Sequence, residues 1–332
     1  MSPFPPSQGL LASQFYYLVY LGRVDEARRL LPRFEAGLAL EAPMVLAAVA
    51  GQWSAAESLA KLSQGARSAD LDTRRKAAAY LAAAQSSRGQ VGIADQTLRQ
   101  AQSMAASAGQ PLRATSIRWD RLRLALFSRG WAADPGSPGD WDTTSTTGLV
   151  TRGAWAAATG DTTLARALLA AARTRSAPDL ARQGSAPALL EAWIAARRGR
   201  WNEVIQVLGP SALQGESKGY VVFQSAPLDR WLVAEAYERL DRPDSAAVYF
   251  ERAIAPMPDG GTNFEQIWMA SSFAHSKLVH LYARMGRLEE ARRHWELFAT
   301  AFTQADPEMQ PLIEDTRAAL ASAESVARSA RH

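Results

Sequence analysis

A short pattern of small and apolar positions recurs along the whole chain. Apolar residues recur at i, i+3 and i+4 around each occurrence, a spacing that places them on one face of an α-helix. The pattern predicts two helices joined by a tight turn, repeated along the chain. A turn residue is followed five positions later by Ala or Val at seven places: Gly22 with Ala27, Gly51 with Ala56, Gly89 with Ala94, Gly160 with Ala165, Gly199 with Val204, Asp241 with Ala246, and Gly286 with Ala291.

The spacing of these turns fits a repeat of helix pairs. Successive turns are separated by 29 residues (Gly22 to Gly51) to 45 residues (Asp241 to Gly286), with one interval of 71 residues (Gly89 to Gly160) that is close to two repeats. A helix–turn–helix repeat of about 34 residues accounts for these distances better than the ankyrin or HEAT repeat does. Large residues such as Trp295, four residues after Ala291, lie one helical turn from the small position, where they fill the groove between two helices.

These turns, with Tyr237 and Phe250 in the sixth repeat and Trp295 and Phe298 in the seventh, resemble the tetratricopeptide repeat (TPR) family. The resemblance covers about residues 8–304 and implies an all-α, right-handed superhelical solenoid of about seven repeats. It is degenerate in repeat two, where Pro43 falls in the first helix, and in repeat five, where Val204 takes the small position. Residues 225–254 and 278–298 further resemble arrays that follow bacterial Ser/Thr kinase or transcription-regulator domains, which implies a docking or sensory array of a signalling protein.

The sequence predicts four segments. Residues 1–110 contain repeats one to three, and 148–304 contain repeats four to seven. Between them, 111–147 is a half-repeat, with a helix that ends at Gly130 and a Gly/Pro/Asp/Thr-rich loop over 131–148. Residues 305–332 form a capping helix, over 308–329, and a tail.

Composition narrows the function classes. The 332-residue chain has no cysteine, which excludes disulfides, thiolate catalysis and Cys-based metal sites. Its net charge of +4 is weak support for nucleic-acid binding. The densest basic patch is Arg113, Arg118, Arg121 and Arg123, where Arg118 and Arg121 share a face of the predicted helix, Arg123 does not, and Asp120 interrupts. No stretch reaches the roughly 18 apolar residues of a membrane span, and no signal peptide is recognisable. We expect a cytoplasmic protein, or an extracytoplasmic one if the array belongs to a longer membrane-anchored chain.

Candidate catalytic motifs lack the context that their chemistry requires. The G-x-S-x-G string at 215–219 follows a polar connector rather than a strand, and Ser58 with Lys61 forms an S-x-x-K string without its companion motifs. His275 and His280 point about 140° apart on one helix, and no histidine pair has metal-ligand spacing. The sequence therefore predicts a non-catalytic chain without cofactor or metal.

The resemblance implies that a protein or extended peptide binds in the concave groove lined by the first helix of each repeat. An alternative is that the large aromatic residues of this set pack between repeats. The groove positions in this sequence are Tyr16, Tyr20, Lys76, Trp193, Arg197, Trp231, Glu235, Glu238, Arg239, His280 and Arg284.

Two further functions stay open at this point. The array could self-associate as a structural homodimer. A ligand-binding or enzymatic site could instead be built at two irregular segments, 131–148 and 209–227. A role in capturing chaperone tails is disfavoured, because Ala83, Ser86 and Ser87 occupy the groove positions of repeat three, where a carboxylate clamp would need Lys or Asn.

Overall fold

The computed structural model describes residues 7–66, 71–130, 145–176, 186–214, 226–255 and 264–329. These ranges contain helices and turns and no β-strand, so the predicted all-α class is confirmed. Three short 3₁₀ turns (Leu31–Arg33, Phe302–Gln304 and Pro307–Met309) accompany the α-helices. The α-helices are α1 (Gln8–Tyr20), α2 (Val24–Arg28), α3 (Ala36–Val49), α4 (Trp53–Gly65), α5 (Leu71–Ser87), α6 (Val91–Ser107), α7 (Pro111–Arg129), α8 (Thr146–Ala158), α9 (Thr162–Ser176), α10 (Ala186–Arg197), α11 (Trp201–Gln214), α12 (Ala226–Arg239), α13 (Pro243–Ile254), α14 (Phe264–Arg284), α15 (Leu288–Ala301) and α16 (Gln310–Ser329).

All seven predicted turn residues adopt the left-handed conformation that ends a helix. The six glycines have φ between 70° and 95°, and Asp241 has φ 56°. The residue after each turn donates its N–H to a carbonyl five positions back, as from Arg23 to Leu18 (2.8 Å) and from Arg287 to Tyr282 (2.9 Å). This is the hydrogen bond of a Schellman cap. The turns predicted from sequence are therefore confirmed, and Gly109 (φ 67°) makes an eighth, between α6 and α7.

The small residue five positions after each turn is buried in every case, with at most 3% of its surface exposed. Small side chains at these points allow the two helices of a pair to approach closely. The helices pack mainly on their neighbours in sequence, for example α3 on α4, α5 on α6, α12 on α13 and α14 on α15. The pattern of small residues thus specifies a succession of helix hairpins.

Helix α7 is the helix of the predicted half-repeat, and it lies at the centre of the molecule. It ends as predicted at Gly130 (φ 78°). Every residue over 117–127 is buried, so the helix is covered on all sides. Its large side chains contact helices distant in sequence: Trp119 packs on Trp193 of α10, and Phe127 packs on Trp231 of α12.

The loop predicted over 131–148 is too long at its C-terminal end. Helix α8 begins at Thr146, where the Ser145 hydroxyl caps it by accepting the Gly148 N–H (2.9 Å). An N-terminal Ser cap of this kind is a recognised helix start. Residues 131–144, with Trp131 and Trp141, lie outside the described residues.

The second irregular segment predicted from sequence, 209–227, is also helical at both of its edges. Helix α11 runs to Gln214, and α12 begins at Ala226. The G-x-S-x-G string at 215–219 lies outside the described residues.

One contact departs from the expectation that each repeat touches only its neighbours. Helix α14 packs along α5 and also touches α7. The Ser87 hydroxyl donates to the Trp268 carbonyl (2.7 Å), and the Ser272 hydroxyl donates to the Ser87 carbonyl (2.7 Å). Asp306 adds two bonds to the α5–α6 region, from its N–H to the Gly89 carbonyl (3.0 Å) and from the Gly92 N–H to its carboxylate (2.8 Å). The last helix pair therefore closes back on the third.

The C-terminal helix α16 covers the last pair, as predicted for a cap. It packs on α14 and α15 and buries Thr316 and Leu320. The Thr316 hydroxyl lies 2.7 Å from that of Ser276.

Across the described ranges, no helix is both long enough and apolar enough to cross a bilayer.

Candidate functional site

The predicted groove residues separate into an interior set and an accessible set. Trp193, Trp231 and Glu235 are buried, which corrects their assignment to a partner-binding surface. Tyr16 is also largely buried, but it lines a cleft described below. The remaining predicted residues are exposed or half-buried: Tyr20, Lys76, Arg197, Glu238, Arg239, His280 and Arg284.

The two tryptophans are buried because side chains of α7 pack on them. Trp193 packs on Trp119 with ring centroids 5.8 Å apart. Trp231 lies between Phe127 (4.7 Å) and Phe250 (5.0 Å). Aromatic pairs at these separations stabilise a core beyond their buried area. The alternative that the large aromatics pack between helices is therefore the arrangement observed.

The arginines of α7 are also interior. Arg123 pairs with Asp120 (2.6 Å) and lies over the Trp119 ring, while Arg121 pairs with Asp95 (2.9 Å). Buried arginines paired with carboxylates do not form the exposed basic surface that nucleic acid requires. Arg118 is buried as well, so Arg118, Arg121 and Arg123 all lie inside the fold.

A further carboxylate, Asp229 of α12, belongs to this interior cluster. Burial raises the pKa of Asp229 to about 7, although the nearby guanidinium groups of Arg123 and Arg230 act in the opposite direction. The cluster is a polar seam between α7 and α12 inside the fold.

On the C-terminal helices, three predicted groove residues contact charged side chains that lie outside the predicted set. Such partly exposed pairs fix side-chain positions at little net gain in stability. Glu238 forms an ion pair with Lys277 (2.9 Å) and Arg284 forms one with Asp241 (2.5 Å). His280, whose pKa is lowered chiefly by burial, lies 3.4 Å from Asp315 of α16.

An open cleft is present at the N-terminal end of the molecule, between α1, α3 and α5. Its volume is about 440 Å³. Apolar side chains such as Leu38 and Met44 form part of its wall. Two predicted groove residues, Tyr16 and Lys76, line this N-terminal cleft, and so does Glu41, which the sequence interpretation missed.

Glu41 is the fixed polar group of the cleft. Its Oε1 accepts the hydroxyls of Tyr16 (2.5 Å) and Tyr80 (2.8 Å), and its Oε2 lies 3.6 Å from the Lys76 ammonium. The Glu41 side chain is 11% exposed, whereas that of Lys76 is 48% exposed. The carboxylate is therefore held in place by two hydrogen bonds, while the lysine reaches it from solvent.

The sequence does contain a feature that could have identified Glu41 as a candidate site residue. Within Ala36–Val49, Glu41 is the one charged residue in an otherwise apolar helix. An isolated charge on an apolar helix needs a partner or a function. This signal was obscured because Pro43, two positions later, marks the repeat as degenerate.

A second group missed by sequence is a chain of hydrogen bonds joining α13, α14 and α15. The Nδ1 atoms of His275 and His294 are 2.9 Å apart, and His294 Nε2 lies 3.2 Å from Glu251, which also accepts the Tyr282 hydroxyl (2.8 Å). The Glu251 carboxylate favours the tautomer of His294 that carries N–H on Nε2, and in that tautomer Nδ1 accepts a hydrogen bond from His275. Burial, followed by the neighbouring His294, lowers the pKa of His275 to about 3.

This histidine pair was not foreseeable from spacing within one helix, because its members lie on facing helices. The described ranges hold no group of three or more His, Cys, Asp or Glu side chains placed to hold a metal ion.

No protein-family model matches this sequence, and no curated protein is significantly similar to it. The TPR resemblance therefore stays a prediction from the turns and helix faces.

Proposed function

We propose that this chain is a TPR-like helical array that binds another protein by taking up an extended peptide segment in the N-terminal cleft. The observation that carries the proposal is the cleft itself, which opens between the first helices of the first three predicted repeats. These are the helices from which the resemblance predicts partner binding. The chain contributes no chemistry of its own in this proposal.

The cleft has the properties of a recognition site. Its volume of about 440 Å³ is in the range of pockets that bury a few side chains. Apolar walls supply contact area, and Glu41, Thr73 and Lys76 supply a few fixed polar groups. This combination of apolar surface with a small number of polar groups is typical of binding pockets. The central surface around Trp193 and Trp231 contributes to the fold instead.

Selection from a random peptide display library would test this function. We expect peptides to be enriched on the wild-type chain and lost on Leu38→Trp, which fills the cleft. Leu62→Trp is the matched control, because Leu62 is 70% exposed on α4 and does not line the cleft. Circular dichroism melting of each variant establishes that the fold is retained. Enrichment that is equal on both variants, or absent on the wild type, would refute the proposal.

A second candidate function is self-association through α1. Leu10, Tyr17 and Leu21 are 61%, 55% and 45% exposed, and their spacing of seven and four residues places them on one face. This end of the array has no capping helix comparable to α16 among the described residues. Sedimentation equilibrium tests it: a dimer that Tyr17→Glu converts to monomer supports this candidate, and a monomeric wild type rejects it.

A further inference from the structure

We propose that the N-terminal cleft recognises a cationic side chain, a guanidinium or an ammonium group, through the carboxylate of Glu41. The proposal rests on the proposed function, because it names the residue class that a bound peptide would place in the cleft.

The first support is the unused capacity of Glu41. Both tyrosine hydroxyls bind the same oxygen, Oε1. Among the described residues, the nearest cation to Oε2 is the Lys76 ammonium at 3.6 Å, which is longer than a hydrogen bond. In this side chain, which is 11% exposed, Oε2 thus has an ion-pair partner at 3.6 Å but no donor at hydrogen-bond distance among the described residues. A carboxylate in such a position is an acceptor for an incoming N–H group.

Ser63 supplies a second, independent observation. It lines the same cleft and is 1% exposed. Within the described ranges, its Oγ has no hydrogen-bond partner. A buried hydroxyl without a partner costs free energy unless a ligand satisfies it. Because a guanidinium carries five N–H donors in a planar fork, it can satisfy more than one acceptor at once.

The charge balance of the cleft favours a cation over an anion. Among the described residues, two carboxylates, Glu35 and Glu41, line it, against one lysine, Lys76. An anionic ligand would have to approach Lys76 while lying beside both carboxylates, and like charges at such separations repel. Lys76 is half exposed, so its ammonium can return to solvent when another cation takes its position. Lys76 thus acts as an exchangeable counter-ion for Glu41.

Two tripeptides that differ only in charge form the test. The probes are acetyl-Ala-Arg-Ala-amide and the same peptide with citrulline, which is nearly isosteric and neutral. Titration calorimetry or chemical-shift titration gives the affinities for the wild-type chain, Glu41→Gln and Lys76→Met. We expect the wild type to bind the arginine peptide about tenfold more tightly than the citrulline peptide, the ratio of a charge-assisted over a neutral contact.

Each variant has its own expected outcome. Glu41→Gln should bring the ratio of the two affinities close to one. Lys76→Met should tighten arginine-peptide binding, because it removes the competing cation. Equal wild-type affinities for the two peptides would overturn the inference. So would weaker arginine-peptide binding by Lys76→Met, or tighter wild-type binding of acetyl-Ala-Glu-Ala-amide. Glu41→Gln could destabilise the fold. Lys76 is half exposed, so Lys76→Met should fold normally, and its effect on arginine-peptide binding tests the inference even if Glu41→Gln does not fold.

The inference and the proposed function fail in distinguishable ways. Display peptides that depend on an open cleft but show no enrichment of Arg or Lys would reject the cation preference and retain peptide binding. Glu41-dependent binding of the arginine tripeptide, with no peptide enriched from the library, would retain the cation site and reject peptide docking.

Discussion

The centre of the molecule and its N-terminal end are built from the same kind of helix, yet one is filled and the other is open. At the centre, α7 occupies the space between α10, α12 and α14, and Trp119 and Phe127 fill it. At the N-terminal end, α1, α3 and α5 leave a cleft of about 440 Å³. The first helices of the predicted repeats therefore face packed protein in one region and open space in the other.

The two regions also differ in how closely their charged side chains are paired and how far they are exposed. In the centre, Arg123 and Asp120 are both buried and contact each other at 2.6 Å. In the cleft, Glu41 is held by tyrosines while Lys76 remains half exposed at 3.6 Å. A buried, closely bonded pair contributes to the structure, whereas a fixed charge with a loosely held counter-ion is available to a ligand. The position of a residue within the repeat does not by itself decide which of these it becomes.

The largest expected effect comes from emptying the filled centre. Trp231→Ala removes a side chain that is 1% exposed and packed between Phe127 and Phe250. We expect a loss of about 3–5 kcal/mol in the free energy of unfolding, because the site cannot collapse around so large a cavity. Urea denaturation measures it.

Leu62→Ala, at a side chain that is 70% exposed on α4, is the control for this change and should cost about 0.5 kcal/mol or less. A cost below about 1 kcal/mol for Trp231→Ala would mean that Trp231 is not in the core, and the contrast between the two regions would disappear.

A smaller effect should follow from disturbing the contact that closes the last helix pair onto the third. A Cβ at Gly89 would come within 2.6 Å of the Ala305 Cβ, whereas one at Gly22 meets nothing within 4 Å. Both glycines have positive φ, so both Ala variants lose about 1–2 kcal/mol from backbone strain. Gly89→Ala should lose roughly 1–3 kcal/mol more through overpacking.

Because the two substitutions share the backbone cost, their difference reports the closure alone. Parallel urea titrations of the two variants give this difference. If Gly22→Ala and Gly89→Ala lost the same stability, the packing of residues 302–306 on the α5–α6 turn would be wrong.

The helix hairpins were predictable because their determinants are local. A residue such as Gly286 ends a helix through its own conformation, and Ala291 packs on the adjacent helix. Both features are encoded within about ten residues. The same holds for the end of α7 at Gly130. The closure of α14 on α5 was not predictable, since Ser87 and Ser272 meet across 185 residues and neither carries a distinctive pattern.

The candidate site was predictable only in part. Tyr16 and Lys76 were predictable as groove residues from their positions before Gly22 and Gly89, and both line the cleft. Trp193 and Trp231 occupy equivalent positions, but their accessibility depends on α7, which a repeat pattern does not place. The pairing of His275 with His294 depends on the register of two facing helices, and sequence spacing does not give that register.

We expect the pair of His275 and His294 to make the free energy of unfolding depend moderately on pH. Since burial lowers the pKa of His275 from 6.5 to about 3, its contribution to stability is complete above pH 6.5 and is lost as the pH falls from 6.5 towards 3. The charged and titratable groups that face the pair are Glu251 of α13, Tyr282 of α14, and Glu290 and Arg293 of α15.

His275→Asn keeps a donor close to the Nδ1 position but cannot be protonated. Between pH 7 and pH 4.5, we expect the wild type to lose roughly 2–3 kcal/mol more than this variant, because pH 4.5 lies two units below the unfolded-state pKa of 6.5 and each unit corresponds to about 1.4 kcal/mol. Urea titrations at the two pH values measure it. Equal losses would show that His275 is protonated without cost in the folded state.

The smallest expected effect on stability belongs to the open cleft, and it is the sharpest test of the comparison. Lys76→Met removes a half-exposed ammonium 3.6 Å from Glu41, and such pairs contribute about 0–1 kcal/mol. Lys61→Met is a matched control, since Lys61 is 59% exposed and pairs with Glu57 outside the cleft. Both variants should unfold within about 1 kcal/mol of the wild type, but only Lys76→Met should change binding of the arginine tripeptide. A loss of several kcal/mol for Lys76→Met alone would place Lys76 with the structural charges of the centre, and the distinction between a filled and an open region would then fail at the residue on which it most depends.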